Sequence, residues 1–305
     1  MATSSRVLSN LKEYCAFSFA VFVGRCLPRP LGYWVGLRLA DHHYRTHPEV
    51  RRAVMANLSQ VLRWRGVQAS GNQLEGLTRK TFQYYGKYLA DFFRFRQLSG
   101  AQLERLVSFE HPEYLTQALA AGRGVIMVTP HFGNYELGGA VLASLGHPVS
   151  AVFRPMRLGA VDRLLHRQRQ RRGVRPIPLG RAAAETLRIL RRGEIVALLG
   201  DRDFSGRSEP IEFFGRPAII PRGPAALAAH TGAAVVFAVL LREVDETFRL
   251  RLHPPLTAGP GDAERLRAQL CRRMEIEIGN QPHQWYIFED FWSQTDGETN
   301  HHAHA

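Results

Sequence analysis

The chain has 305 residues, 45% of them hydrophobic, which is enough for one large core and short for two domains. Its net charge of +13 comes almost wholly from arginine, since lysine stands only at Lys12, Lys80 and Lys87. An arginine surplus suits phosphorylated lipids, anionic membranes, acidic carrier proteins or nucleic acid, and charge alone does not choose among them. The three cysteines, Cys15, Cys26 and Cys271, have no metal-type spacing, and their odd number argues against a disulfide framework and for reduced thiols.

Residues 14–24 are uncharged and apolar, but Arg25, Pro28, Arg29 and Pro30 end the run at about half the ~20 residues a membrane-spanning helix needs. Together with Leu31 to Leu39, which carries Tyr33 and Trp34, the run predicts an in-plane membrane anchor over residues 1–47; a buried helix pair is the competing reading. From Pro48 to Arg96 the spacing is helical, with Val54, Leu58 and Val61 on one face and Leu77, Phe82, Tyr85, Leu89 and Phe92 on another. The dense aromatics here, Phe82 to Phe95, either line an acyl-chain groove or pack as core. His43 and His47 lack a third ligand, and the remaining histidines are scattered, so no metal is expected.

Val125 to Thr129 is an uncharged β-branched run and predicts a buried strand. Pro130 stops it, a turn follows, and a helix opens near Leu137. The turn holds His131 and Glu136. Five residues are about 140° apart on a continuous helix, so the two side chains meet only if the chain turns between them. Gly133 supplies freedom for such a turn and Asn134 can brace it. The pair reads either as a general base with its orienting carboxylate or as an edge histidine beside a helix-start glutamate.

Val149 to Phe153 predicts a strand ending at Arg154, and residues 161–172 a helix dense in arginine, including Arg163 and Arg167. Val174 to Pro178 and Ile195 to Leu199 predict strands around an Ala183 to Arg192 helix. The last of these strands delivers Asp201-Arg202-Asp203-Phe204 to a strand's C-terminal end, where open α/β sheets hold ligands. The two aspartates either bind a sugar headgroup or hold Arg202 in place. Residues 212–218 read as a loop or edge element, Ala233 to Leu241 as a buried strand, Phe248 to Leu252 as an edge strand and 262–278 as an amphipathic helix. Gln284 to Phe288 closes the domain. Alternating strands and helices predict an α/β fold with a mixed, largely parallel central sheet flanked by helices. The expected organisation is an N-terminal segment 1–47, an α/β domain 48–292 and a disordered tail 293–305.

Several blocks occur in one order: Pro-His-Phe-Gly-Asn-Tyr-Glu at 130–136, Phe-Arg-Pro at 153–155, Asp-Arg-Asp-Phe at 201–204, Phe-Phe-Gly-x-Pro-Ala at 213–218 and Gln-Trp-Tyr at 284–286. The chain thereby resembles the bacterial lipid A biosynthesis acyltransferases, the late lauroyl and myristoyl transferases, and their phosphatidylinositol mannoside acyltransferase relatives, over roughly residues 10–292. The resemblance implies a peripheral enzyme on the cytoplasmic face of a bacterial inner membrane. It would move a fatty acyl group from acyl carrier protein or acyl-CoA to a glycolipid hydroxyl. By motif position His131 is the general base, Glu136 its partner, and Arg154 an arginine implicated in activity. Asp-Arg-Asp in place of Asp-Gln-Asp is more like the mannoside branch, whereas Glu136 is more like the lipid A branch. The acceptor thus stays open between the two.

Granted acyl transfer, an alcohol must lose its proton as it attacks the thioester, which a placed imidazole assists by about 10² to 10⁴-fold. No nucleophile elbow is present and no cysteine neighbours a catalytic-looking histidine, so a covalent acyl-enzyme is not expected. Expected substrate contacts are Gly133, Asn134, Arg154, Arg163, Arg167, Asp201, Arg202 and Asp203, with no cofactor and no metal. Backbone amides of 132–138 and Arg154 are the oxyanion candidates. The partners expected are the thioester donor, an anionic glycolipid and a membrane surface, and no nucleic acid. A basic peripheral or nucleic-acid-binding protein without catalysis is the rival reading, although no DNA- or RNA-recognition signature supports it.

Overall fold

The computed structural model describes residues 26–95, 98–154 and 159–293. The apolar run at 14–24 and the histidines of the tail lie outside the described residues. Uncharged β-branched runs become strands because their side chains fill both faces of a covered sheet. A seven-stranded sheet has the order β1-β9-β8-β2-β5-β3-β4. Its strands are β1 (Val107–Glu110), β2 (Val125–Thr129), β3 (Val149–Phe153), β4 (Val174–Pro178), β5 (Ile195–Leu199), β8 (Ala234–Arg242) and β9 (Phe248–Leu252). All neighbours are parallel except β8 and β9. The helix-flanked, largely parallel sheet is thus as the alternation of elements predicts.

One expectation is corrected. Phe248 to Leu252 is not an edge strand, because the short strand Val107–Glu110, which residue patterning leaves unmarked, pairs along its outer side. Its period-2 alternation has another cause. Phe248, Leu250 and Leu252 are buried on one face, while Arg249 and Arg251 on the other pair with Glu243, Glu110 and Glu277. The 212–218 segment is a separate hairpin of β6 (Ile211–Phe213) and β7 (Arg216–Ala218).

The helices are α1 (Arg29–Thr46), α2 (Pro48–Trp64), α3 (Gly71–Arg94), α4 (Gly100–Leu106), α5 (Glu113–Ala120), α6 (Tyr135–Ser144), α7 (Gly159–Gln170), α8 (Ala182–Arg191), α9 (Gly223–Thr231) and α10 (Ala263–Asn280). The helical pattern from 48 to 96 divides at residues 65–70, where Ser70 starts α3 with a reciprocal capping box to Gln73. The two sheet faces alternate strictly along β2. Ile126 and Val128 join one core with Val235, Phe237 and Met274, while Val125 and Met127 join the other with Leu137, Val141 and Val236.

The described part of the N-terminal segment packs on the body of the protein. A Cβ on Gly36 would lie 2.7 Å from the Gly86 carbonyl oxygen, so α1 and α3 meet backbone to backbone. Arg79 grips Asp41 across this contact with two bonds of 2.8 Å, and the Tyr33 hydroxyl donates to Asp91 at 2.8 Å. Tyr33 faces inward, whereas Leu31, Trp34 and Leu39 stay exposed along the outer side of α1. No described helix is long and apolar enough to cross a membrane.

Candidate active site

β2, β5 and β3 end side by side, and each delivers a polar residue to the same edge of the sheet. The register Thr129↔Leu199 places the residues two steps beyond, His131 and Asp201, next to each other. His131 Nδ1 lies 2.7 Å from Asp201 Oδ1. Asp201 Oδ2 accepts the His131 backbone N–H at 2.9 Å and the Trp285 indole N–H at 3.0 Å. Asp201 is fully buried. Burial pushes its pKa up, but the adjoining imidazole and these hydrogen bonds outweigh it and hold the carboxyl below the usual aspartate range. An ionised acceptor at Nδ1 assigns the ring proton to that nitrogen and leaves the Nε2 lone pair directed away from Asp201.

The turn that carries the imidazole is fixed on every side. Gly133 has φ +61°, and a Cβ there would fall 2.1 Å from the Leu240 carbonyl oxygen, so only glycine fits. Its N–H donates to the Gln284 carbonyl at 2.9 Å, and the Tyr286 N–H donates to the His131 carbonyl at 2.8 Å. Asn134 donates its N–H to the Leu240 carbonyl at 2.7 Å, and its Oδ1 accepts from Leu137 N–H to cap α6. Gly133 and Asn134, expected as substrate contacts, serve the shape of the turn. The Gln-Trp-Tyr block at 284–286 holds it from behind, a role that sequence reasoning missed.

The expected His131–Glu136 pairing is corrected. Glu136 lies in the first turn of α6, and its carboxylate takes three contacts of 2.6 to 3.1 Å from Arg169 of α7. Both side chains are largely buried. The Arg169 guanidinium also lies 3.7 Å from the centre of the Phe153 ring. The carboxylate that reaches the imidazole arrives from the neighbouring strand, seventy residues away. The one signal for it in the chain is that His131 and Asp201 stand equally far beyond two parallel strands.

Beneath α6, on the Met127 side of the sheet, runs a narrow apolar cavity of about 60 Å³. Thr129, Tyr135 and Phe153 border it at the strands' C-terminal ends, and Leu142, Val149 and Val174 at their beginnings. Gly138 and Gly139 of α6 face Ala151 and Ala197 across it. The aromatics of α3 do not line this cavity. Phe82, Phe92, Phe93 and Phe95 are buried core, and Tyr88 stacks 5.3 Å from Tyr135, whose ring stands edge-on 5.5 Å from His131.

The remaining expected contacts separate into three groups. Arg154 and Arg202 both approach the Phe204 ring, at 5.1 and 5.0 Å. Arg202 also pairs with Glu289 at 2.5 Å. Arg163 and Arg167 are exposed on the outer side of α7. Asp203 braces its own loop: Oδ1 accepts from Ser205 N–H and hydroxyl at 2.9 and 2.7 Å, and Oδ2 from Ser208 N–H at 3.3 Å. Of the candidate oxyanion amides, those of Phe132, Gly133, Asn134, Leu137 and Gly138 already donate within the protein.

The sequence profile of a family described as bacterial lipid A biosynthesis acyltransferase matches residues 2–294. The phosphatidylinositol mannoside acyltransferase of Mycolicibacterium smegmatis is 26% identical over 222 residues, covering 72% of this chain and 73% of its own length. A lipid A biosynthesis acyltransferase of Haemophilus influenzae is 27% identical, covering 66% of this chain and 64% of its own. The lipid A biosynthesis palmitoleoyltransferase of Escherichia coli is 25% identical, covering 76% and 77%.

Proposed function

As this chain belongs to the bacterial lipid A biosynthesis acyltransferase family and is an acyltransferase acting on glycolipids, we propose that His131 and Asp201 form its catalytic pair. The observation that carries the reading is the 2.7 Å bond between a fully buried carboxylate and an imidazole whose ring stands 5.5 Å from that of Tyr135, a residue lining the apolar cavity. Nε2 of His131 takes the proton of a glycolipid hydroxyl as its oxygen attacks the carbonyl carbon of an acyl thioester. Asp201 stabilises the imidazolium that forms and keeps Nδ1 protonated. When the tetrahedral adduct collapses, the carbon–sulfur bond breaks and Nε2 returns the proton to the departing thiolate.

The acyl chain of the donor enters the cavity beneath α6, whose about 60 Å³ takes only part of the chain until the lining side chains move apart, which puts its carbonyl near Thr129 and Tyr135. The developing oxyanion meets the N-terminal amides of α6 at Tyr135 and Glu136, which have no intrahelical carbonyl to bond. The donor is a thioester on acyl carrier protein or coenzyme A, and the acceptor is a lipid A precursor or a phosphatidylinositol mannoside. Catalysis takes place on a membrane surface, on its cytoplasmic side, with Leu31, Trp34 and Leu39 of α1 set against the lipid. The test is mass spectrometry of glycolipids incubated with purified protein and a long-chain acyl thioester. Wild type adds one acyl chain, and His131→Ala, which leaves the fold intact, adds none; full transfer by that variant would remove the mechanism.

A further inference from the structure

Phe204 is a large aromatic residue left 39% exposed at the rim of the candidate site, and two guanidinium groups converge on its ring. Arg154 follows the last residue of β3. Arg202 directly follows Asp201, the partner of His131. Each guanidinium carbon is about 5 Å from the ring centre, so the two groups lie within about 10 Å of each other. The loop that carries Phe204 is fixed: Asp203 holds Ser205 and Ser208 by hydrogen bonds, which, against the opposing pull of burial, keep its carboxyl below the usual range. Among the described residues Arg154 has no carboxylate partner, and Arg202 has one, Glu289, which is itself more than half exposed. β3, β5 and β2 are successive strands, and strands lie about 4.8 Å apart, which sets the backbone of Arg202 about one spacing and that of Arg154 about two, roughly 10 Å, along the sheet edge from His131.

We propose that Arg154 and Arg202, held on the Phe204 ring, form a binding site for a phosphate group carried by one of the two substrates. A guanidinium presents a flat fork of N–H donors that matches phosphate oxygens two at a time, and stacking on an aromatic face leaves the edge of that fork free. An exposed ion pair such as Arg202–Glu289 is worth at most about 1 kcal/mol, so an anionic phosphate that meets both guanidinium groups displaces Glu289. The phosphate belongs either to the acceptor headgroup or to the phosphopantetheine arm of the thioester donor. This proposal rests on the acyltransferase reading of the same site and adds to it the anion that the site selects.

The experiment compares wild type with Arg154→Gln, Arg202→Gln, the double variant, Phe204→Ala and Phe204→Trp. Each is assayed with a phosphate-bearing glycolipid and the same glycolipid after enzymatic dephosphorylation, and with acyl-phosphopantetheine and acyl-pantetheine as donors. Loss of one charge-assisted contact raises KM about tenfold or more for the phosphate-bearing partner alone. Phe204→Ala acts in the same direction and Phe204→Trp restores the wild-type preference. Discrimination against the dephosphorylated acceptor identifies the headgroup as the source, and against acyl-pantetheine the donor. Equal losses with and without phosphate, or no loss, overturn the site. Binding of inorganic diphosphate by calorimetry gives a second readout: affinity falls at least tenfold in the double variant, and unchanged affinity counts against the proposal. If wild type transfers no acyl group yet shows this difference, the reaction reading falls and the anion site stands.

Discussion

Asp201 uses two oxygens to hold three donors, and the geometry of the site depends on that economy. Its carboxylate fixes the imidazole ring, the backbone of the same histidine and the Trp285 indole. Glu136 works differently. It neutralises Arg169 in a place where neither is well solvated, so Glu136→Ala strands a buried guanidinium and is expected to destabilise the protein by about 3 to 5 kcal/mol. Denaturant unfolding with the Glu136→Gln/Arg169→Gln double variant checks this, because removing both charges recovers most of the loss. Gly133→Ala meets both a left-handed backbone and the Leu240 carbonyl. It should cost more than about 3 kcal/mol, read as a fall in Tm, with activity lost alongside. His131 was legible in the sequence because an uncharged strand running into Pro-His is conspicuous. Asp201 was legible only as a residue of the right region, since nothing local says that two strands seventy residues apart are neighbours. Glu136 was the nearer carboxylate, and α6 turns it toward α7.

At the scale of elements, the cavity exists because α6 carries glycine where a helix facing a sheet ordinarily carries a large apolar residue. A Cβ on Gly139 would stand 3.6 Å from a methyl of Val174, an ordinary contact, so the position accepts side chains that project into the free space. Gly139→Ile is therefore expected to fold and to shift acyl preference toward shorter chains. Each methylene denied burial costs about 0.8 kcal/mol, or roughly fourfold in kcat/KM, measured with a series of acyl thioesters of graded length. An unchanged length profile would place the acyl chain elsewhere. The strands at 125–129, 149–153 and 195–199 were readable from their composition, for uncharged apolar runs of this length have few other uses, and 174–178 from its place between two helical segments. β1 was not, because Val-Ser-Phe-Glu is too short and too mixed to announce a strand. The cavity was not readable either, since Gly138, Gly139, Ala151 and Ala197 become a space only when the helix lies across the sheet.

At the scale of the whole molecule, α1 is attached to the α/β body by polar contacts between otherwise close-packed helices. The hydrogen bonds from Arg79 to Asp41, opposed by burial, lower the Asp41 pKa from 3.8 to about 2. A carboxylate whose folded-state pKa is depressed contributes stability that is fully present above its ordinary value and disappears as pH falls through the folded one. The difference in unfolding free energy between wild type and Arg79→Ala should thus be constant at pH 5 and above, shrink below about pH 4, be mostly gone at pH 2 and vanish by about pH 1. A difference that is undiminished between about pH 5 and pH 1 would mean that Arg79 acts through packing alone. The arginine surplus visible in the composition resolves into distinct uses. Arg242 and Arg267 are buried and satisfy carboxylate and carbonyl oxygens, Arg169 neutralises Glu136, Arg154 and Arg202 meet at the Phe204 ring, and Arg163 and Arg167 are exposed on the outer side of α7.

The pairing of His131 with Asp201 in acyl transfer is most directly tested by the turnover of Asp201→Asn. This variant keeps the size and most hydrogen bonds of the side chain but loses the charge that steadies the imidazolium. Steady-state transfer from a long-chain acyl thioester to glycolipid should show kcat reduced by about 10² to 10⁴-fold with KM close to wild type and an unaltered circular dichroism spectrum. A correctly folded Asp201→Asn enzyme with wild-type kcat would contradict the account.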